Sequence, residues 1–288
     1  MIHQAMRRLA WSPRGLWLLT AVLVALNSVA TGYYAQGLRL ALLSGLVWGG
    51  AAISMEDQLP CLTPRPSRFG FLLGSVLLLA AGYLSAQSAL ADLVVYGLAL
   101  LQGLSLALLC EAPRRLGRFR DSLIVLACLP MALLLPRLLP DDTLAHGTAL
   151  LVQLVLLLCG IDVRVNGREV LLEGGSIYIS GACSGTEIIG LLSVVAVIFV
   201  LAFPLRQRWL RVLVIASAPL FAIAGNALRI ALLAAINGSG LSRKQQWLVF
   251  FHEENGSLIF AALTVSVFAS LYLRTLERQL AASGSGDV

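Results

Sequence analysis

The chain has 288 residues, of which 58% are hydrophobic and only 12% are charged, and its mean hydropathy is +0.86. A water-soluble fold cannot bury this much apolar surface, so the composition excludes soluble globular classes and indicates a protein in contact with the lipid bilayer. The formal net charge is +6, but the basic residues lie in short clusters between apolar runs. Such clusters mark membrane topology and argue against a nucleic-acid partner.

Apolar runs along the chain predict an all-α polytopic membrane protein with about eight transmembrane helices, because several runs reach the roughly 18 to 20 residues that cross a bilayer. The predicted spans cover residues 16–35, 38–55, 69–88, 90–110, 122–139, 186–204, 210–236 and 257–273. The prediction places them in one integral membrane domain, residues 1–280. The last stretch, "AASGSGDV" (281–288), is typical of a disordered tail.

Basic clusters between the spans predict their orientation. The positive-inside rule places all of these clusters, and with them both termini, in the cytoplasm. An even number of crossings must then separate Arg120 from Arg206, so the short apolar piece 144–160 is expected to be an interfacial or re-entrant helix on the outer side. The clusters are Arg7, Arg8 and Arg14; Arg65 and Arg68; Arg114, Arg115, Arg118 and Arg120; Arg206, Arg208 and Arg211; and Arg274 and Arg278.

The outer segment 161–182 predicts a small extracytoplasmic β-hairpin. Apolar and polar residues alternate from Ile161 to Val165 and again around Ile177, and Asn166-Gly167 is a typical two-residue hairpin turn. The hairpin has three interpretations: it orders the backbone of the cysteine, it offers an edge to an extended peptide, or it is only a stiff connector.

Cysteine spacing predicts neither a disulfide framework nor a metal site, and no cofactor is expected. The five cysteines, at 61, 110, 128, 159 and 183, form no CxxC pair and show no metal-ligand spacing with the three histidines.

Cys183 stands in Gly181-Ala182-Cys183-Ser184-Gly185, at the outer end of the span that begins near 186. Small neighbours such as Ser184 let another backbone approach the sulfur, and the free amides of a helix N-terminus stabilise a thiolate. Glu187 follows four residues later on the same helical face. Burial of its carboxylate in the membrane costs free energy, which an ion pair with Arg229 is expected to offset. A lone cysteine at a helix start is also compatible with a purely structural role.

Arg229 lies within the span "APLFAIAGNALRIALLAAING", in the outer leaflet. An arginine in hydrocarbon costs a few kcal/mol, so its side chain must face a protein cavity or reach an interface. Asn226 lies three residues earlier on the same face and can bond a neighbour or a substrate carbonyl. The alternative is a snorkelling arginine that ties helices together.

His252 opens the last span from the outer side, in "FFHEENGSLIF". A histidine at that position can exchange protons near neutral pH. Glu253 and Glu254 either orient it or are simply solvated, and the alternative for His252 itself is a tolerated interfacial residue.

The topology places Cys183, Arg229 and His252 near one membrane depth on the outer side, which favours a shared chemical role. In acyl transfer, Cys183 attacks a carbonyl, Arg229 stabilises the thiolate or the developing oxyanion, and His252 protonates the leaving amine.

The motifs "ACSGTE", "GNALRIALL" and "HEENG", in this order and at outer helix ends, resemble those of the exosortase and archaeosortase family of membrane-embedded transpeptidases. The resemblance covers about residues 120–275. It implies that Cys183, Arg229 and His252 correspond to the family's Cys, Arg and His.

The resemblance also implies a substrate and a place. Such enzymes cleave exported, membrane-anchored proteins that carry a C-terminal sorting signal, made of a motif such as Pro-Glu-Pro (PEP-CTERM), a transmembrane helix and a basic cluster. Cleavage occurs through a thioacyl-enzyme at the outer face of the bacterial cytoplasmic membrane, and the acyl group passes to water or to an acceptor nucleophile in the outer compartment.

Thr186-Glu187 after CSG departs from the aliphatic residue common in the family and is more similar to the branch called exosortase E, without its fused protease. Two other classes stay open at this stage. A transporter or channel would use Arg229 and Glu187 as an intramembrane charge pair, and a non-catalytic scaffold of an export complex would need none of the three residues.

Overall fold

The computed structural model describes residues 13–56, 66–87, 89–138, 141–252 and 254–284. Most of these residues are helical, and three short strands interrupt the helices in the second half of the chain. Backbone contacts divide the chain into two compact units, Met1–Leu133 and Leu134–Val288, and each is described by itself.

The first unit is a helical bundle built around α4. Polar side chains link three of its helices, because Ser85 Oγ and the buried Gln102 Nε2 both donate to Asn27 Oδ1 at 2.8 Å. Interhelical bonds of this kind contribute about 0.6 kcal/mol each in a membrane. The helices are α1 (Pro13–Gln36), α2 (Leu38–Ile53), α3 (Arg68–Ser85), α4 (Asp92–Cys110), a 3-10 helix (Pro113–Phe119) and the start of α5 (Arg120–Arg137).

The second unit surrounds α8, the long helix that carries the "GNALRI" motif. Helix α8 contacts α6, α7, α9, α10 and the small sheet. The elements are α6 (Asp141–Leu158), β1 (Arg164–Asn166), β2 (Glu169–Leu172), β3 (Gly175–Tyr178), α7 (Thr186–Ala202), α8 (Arg208–Gly238), α9 (Lys244–His252) and α10 (Glu254–Gly284).

The predicted spans all coincide with helices, which confirms a helical multi-pass membrane protein. Among the described residues, five helices are long and apolar enough to cross a bilayer: Gly15–Gln36, Arg68–Ser85, Asp92–Cys110, Arg208–Gly238 and Gly256–Ala281. Three further apolar helices are shorter: Leu38–Ile53, Asp142–Leu158 and Ile188–Ala202. The count of eight spans and the cytoplasmic termini stay predictions, as does a single domain over 1–280. Helix α10 continues through 281–284, and residues 285–288 of the predicted tail lie outside the described residues.

Helix α6 is the apolar piece that the sequence predicted to be interfacial or re-entrant. Its buried residues Ala145, Ala149, Val152 and Leu156 recur along one face over three turns and belong to a core cluster with Ala227 to Ala234 of α8. The two helices therefore pack along their sides. Whether α6 is interfacial or re-entrant stays a prediction.

The predicted β-hairpin is a three-stranded antiparallel sheet in the order β1-β2-β3. Asn166 pairs with Glu169, so the first turn is Gly167-Arg168, one residue later than predicted, and Gly167 takes the left-handed φ of 62°. Strand β2 escaped prediction because its apolar residues do not alternate with polar ones. Only Val170 is buried, while the adjacent Leu171 is exposed.

Hydrogen bonds and close contacts fix this sheet between α6 and α8. On one side, His146 Nδ1 lies 2.7 Å from the carbonyl of Gly167, and Arg168 pairs with Asp142. On the other side, Asn237 Nδ2 donates to the carbonyl of Ser176 at 2.9 Å. The sheet is thereby held against the ends of two helices.

Helices α8 and α10 approach most closely at Gly225, where an added Cβ would overlap Thr264 Oγ1. We expect Gly225→Ala to lower the melting temperature in detergent, because overpacking of a tight contact costs about 1 to 3 kcal/mol. Thermal unfolding of the purified protein measures the effect.

The matched control is Gly82→Ala, in helix α3, where nothing lies within 4 Å of an added Cβ. That variant should be neutral or stabilised, by up to about 1 kcal/mol, because alanine favours the helix. The double variant Gly225→Ala/Thr264→Ala should recover part of the loss. Equal melting temperatures for Gly225→Ala and the unchanged protein would contradict the close packing.

Candidate active site

Cys183 ends the 3-10 turn Gly181–Cys183, directly before the N-terminus of α7. The turn forms because the Cys183 amide donates to the carbonyl of Ser180 at 2.9 Å. Gly185 then takes a left-handed φ of 93° as the N-cap of α7. The half-buried thiol therefore stands at the junction of the sheet and a helix start, as the sequence predicted.

The backbone around Cys183 is held by side chains of two other helices. Asn226 Nδ2, from α8, donates to the carbonyl of Cys183 at 2.8 Å, and Thr148 Oγ1, from α6, donates to the carbonyl of Ser184 at 3.2 Å. The Ser184 hydroxyl donates to the carbonyl of Gly181 at 2.6 Å. Gly185 makes room for the amide, since a Cβ there would lie 3.0 Å from Asn226 Nδ2.

His252 supplies an imidazole beside the thiol. Its Nε2 lies 3.8 Å from Cys183 Sγ, across 69 residues of sequence, and the ring is exposed. Contacts between a nucleophile and its base are commonly long in a ligand-free enzyme and shorten in the complex with substrate. The structure therefore brings together two of the three predicted catalytic residues.

The position of His252 depends on Gly256. His252 ends α9, α10 begins at Glu254, and a Cβ on Gly256 would overlap the carbonyl oxygen of Phe250. Only glycine lets the start of α10 approach the last turn of α9 so closely. This contact explains the histidine-to-glycine spacing in "HEENG".

Arg229 is buried in α8, with 6% of its surface exposed, and its Nη1 donates to Ser257 Oγ at 2.7 Å. Ser257 is the residue after Gly256, so this bond links the guanidinium to the start of α10. Arg229 does not line the cavity beside the thiol, although the next residue, Ile230, does. The arginine thus faces protein, as its cost in hydrocarbon predicts.

A cavity of about 330 Å³ opens beside the Cys183–His252 pair. Its walls come from β3, α8 and α9. It reaches the lower end of the size range of small-molecule sites. The sulfur and the imidazole therefore border a space in which a substrate group can be placed.

Two predicted supporting residues are not described at the level of their side chains. Glu187 lies in the first turn of α7 with its side chain outside the described part, and Glu253 lies outside the described residues. Thr148 and Ser257 were missed. The available signals were a buried hydroxyl in the apolar run 144–160 and a serine directly after "HEENG".

Within the described ranges, no three His, Cys, Asp or Glu side chains come together as metal ligands. The cysteines described there, Cys110, Cys128, Cys159 and Cys183, are all free thiols.

Comparison with known proteins adds the family. The sequence profile described as transmembrane exosortase matches residues 28–269, which begins well before residue 120, where the resemblance carried by the motifs begins. Searches of curated proteins and of solved structures returned no match. Because the profile covers most of the 288 residues, the chain belongs to the transmembrane exosortase family.

Proposed function

We propose that the protein is a cysteine transpeptidase or peptidase that cleaves C-terminal sorting signals of the PEP-CTERM type from exported, membrane-anchored proteins. The observation that carries the proposal is the 3.8 Å contact between Cys183 Sγ and His252 Nε2 beside an open cavity. In this proposal the reaction takes place on the outer side, as the predicted topology indicates, and the resemblance to the family implies that the membrane is the bacterial cytoplasmic membrane.

The thiolate of Cys183 attacks the scissile carbonyl carbon, so that a C–S bond forms and the carbonyl oxygen gains negative charge. The C–N bond then breaks, and His252 gives a proton to the departing amine. A thioester with Cys183 is left. Water or an acceptor amine attacks this thioester, His252 takes the proton of the nucleophile, and the sulfur leaves.

Arg229 stabilises the thiolate or the developing oxyanion in this mechanism. A buried guanidinium is always charged, and Ser257 fixes its orientation through a 2.7 Å hydrogen bond. Asn226 and Ser184 act as positioning residues, because their hydrogen bonds hold the Cys183 turn and do not reach the sulfur.

The thiol–imidazole contact favours an enzyme over the transporter and scaffold alternatives. A transport pathway based on Arg229 and Glu187 has no use for a cysteine beside a histidine, and a scaffold needs neither.

Cys183→Ala should leave the protein in the membrane at a normal level but stop shortening of a co-expressed substrate with a sorting signal. We expect a loss of at least about 1,000-fold, since the nucleophile is removed, and a similar loss for Cys183→Ser. Gel mobility and intact mass of the substrate measure the cut. Cys159→Ser, at an exposed free thiol, is the matched control and should process normally. Processing by Cys183→Ala at the unchanged rate would exclude the mechanism.

His252→Ala should slow the same processing by about 100- to 10,000-fold, the usual contribution of general acid–base catalysis. Gln246→Ala provides the control on the same helix, because Gln246 is exposed and does not line the cavity. Comparable rates for the two variants would remove His252 from the mechanism.

Arg229→Lys should lower the processing rate by about 100-fold, the size of the loss when one oxyanion donor is removed. Lysine keeps the charge but not the planar fork that reaches two partners at once. Arg243→Lys, at an exposed arginine, is the control. Near-normal processing by Arg229→Lys would mean that only the positive charge matters. It would contradict a role of the guanidinium as an oriented hydrogen-bond donor.

A further inference from the structure

Among the residues that the structure describes, the lining of the cavity beside Cys183 contains no Asp, Glu, Lys or Arg side chain. The polar or titratable side chains of the lining are uncharged or are those of the reacting pair: Tyr178, Asn237 and Gln245, with Cys183 and His252. A charged side chain placed against the apolar walls would lose its hydration there, whereas burial of an apolar side chain against them is favourable. The apolar walls are Ile177, Ile179, Ile230, Leu233, Leu248 and Val249.

Strand β3 contributes the edge of this cavity. In the described part of the chain it pairs only with β2. The Ile179 amide donates to the carbonyl of Arg168, so Ile179 and Ile177 direct their backbone groups toward β2. By the alternation of antiparallel strands, Ser176 and Tyr178 direct theirs to the opposite side. The bond from Asn237 to the Ser176 carbonyl on that side agrees with this register.

The amide and carbonyl of Tyr178 therefore point to the strand-free side of β3, next to the cavity and a few residues before the thiol. An extended peptide that adds to an edge strand gains its affinity from such backbone groups and its specificity from pockets for alternate side chains. A lipid acyl chain would fill the cavity but would make no use of the backbone of Tyr178.

We infer that this cavity and the β3 edge form a subsite for an extended segment of a protein substrate. The peptide backbone pairs with Tyr178, and one uncharged apolar side chain next to the scissile carbonyl enters the cavity against Leu233. The inference rests on the proposed function, because it assigns the cavity to that active site. Leu233 then determines specificity without taking part in the chemistry.

Alkylation of Cys183 tests this subsite without any turnover. The probes are chloroacetyl amino-acid methylamides, in which the sulfur forms a bond to the CH₂ carbon, chloride leaves with the electron pair, and the thiol proton passes to solvent. The side chain of the probe is leucine, glutamine or glutamate. Mass spectrometry of the purified protein gives the labelling rates at Cys183 and, as an internal reference, at the exposed Cys159.

We expect the leucine probe to label Cys183 at least about 10-fold faster than the glutamate probe, with no such preference at Cys159. A leucine probe with a methyl group on its leucine amide nitrogen should label Cys183 roughly 2- to 10-fold more slowly, since the methyl group removes one backbone hydrogen bond. Iodoacetamide, which is too small to need the cavity, controls for access to the thiol.

Leu233→Trp fills the cavity and should bring the ratio of leucine to glutamate labelling at Cys183 close to one while iodoacetamide labelling is kept. The matched control is Leu228→Trp, at an exposed leucine of the same helix that does not line the cavity, and it should keep the ratio. Equal rates for all probes at Cys183, or an unchanged ratio in Leu233→Trp, would overturn the subsite. Slow labelling by every peptide probe beside fast iodoacetamide would indicate a cavity filled by lipid and would overturn it as well.

The two proposals fail separately. Loss of the probe preference overturns the subsite and leaves the reaction at Cys183 untouched. Continued substrate cleavage by Cys183→Ala overturns the reaction, even where the cavity still selects apolar probes.

Discussion

The hydrogen bond from Asn226 to the carbonyl of Cys183 is the constraint on which the site depends. It joins the middle of α8 to the turn before α7, at a point where Gly185 leaves just enough space for the amide. With Thr148 bound to the next carbonyl, the turn is held from two helices at once. A nucleophile needs such fixation, because displacement by a fraction of an ångström changes the approach of the sulfur to a carbonyl.

Other polar side chains in this apolar chain are also hydrogen-bonded to residues of neighbouring helices. Arg229 is buried and bonded to Ser257, and Asn27 accepts from both Ser85 and Gln102 within the first unit. Each such group would be costly in hydrocarbon and is tolerated because a neighbouring helix supplies a partner. The two sets of hydrogen bonds differ in where they lie. The Asn27 group joins helices, whereas Arg229 is linked through Ser257 to the helix start that follows His252.

Much of the fold was accessible from the sequence because membrane helices require long apolar runs. The predicted spans coincide with helices, and the alternation that ends at Val165 correctly indicated β-structure within residues 161–182, where β1 contains Val165. Strand β2 was missed because the exposed Leu171 between Val170 and Leu172 is also apolar, so the sequence does not alternate between apolar and polar residues. Thr148 and Ser257 were missed for a similar reason: a hydroxyl in an apolar helix has no pattern of its own, and its partner is far away in sequence.

By itself, the sequence determined the membrane class, the helical segments and the three chemically unusual residues Cys183, Arg229 and His252, because composition and local spacing carry that information. Only the tertiary structure decided that His252 contacts the thiol, that Arg229 bonds Ser257, and that a cavity with apolar walls lies beside the pair. These facts depend on contacts between residues tens of positions apart. Such contacts are set by helix packing around Gly225 and Gly256, where the absence of a side chain lets the helices meet.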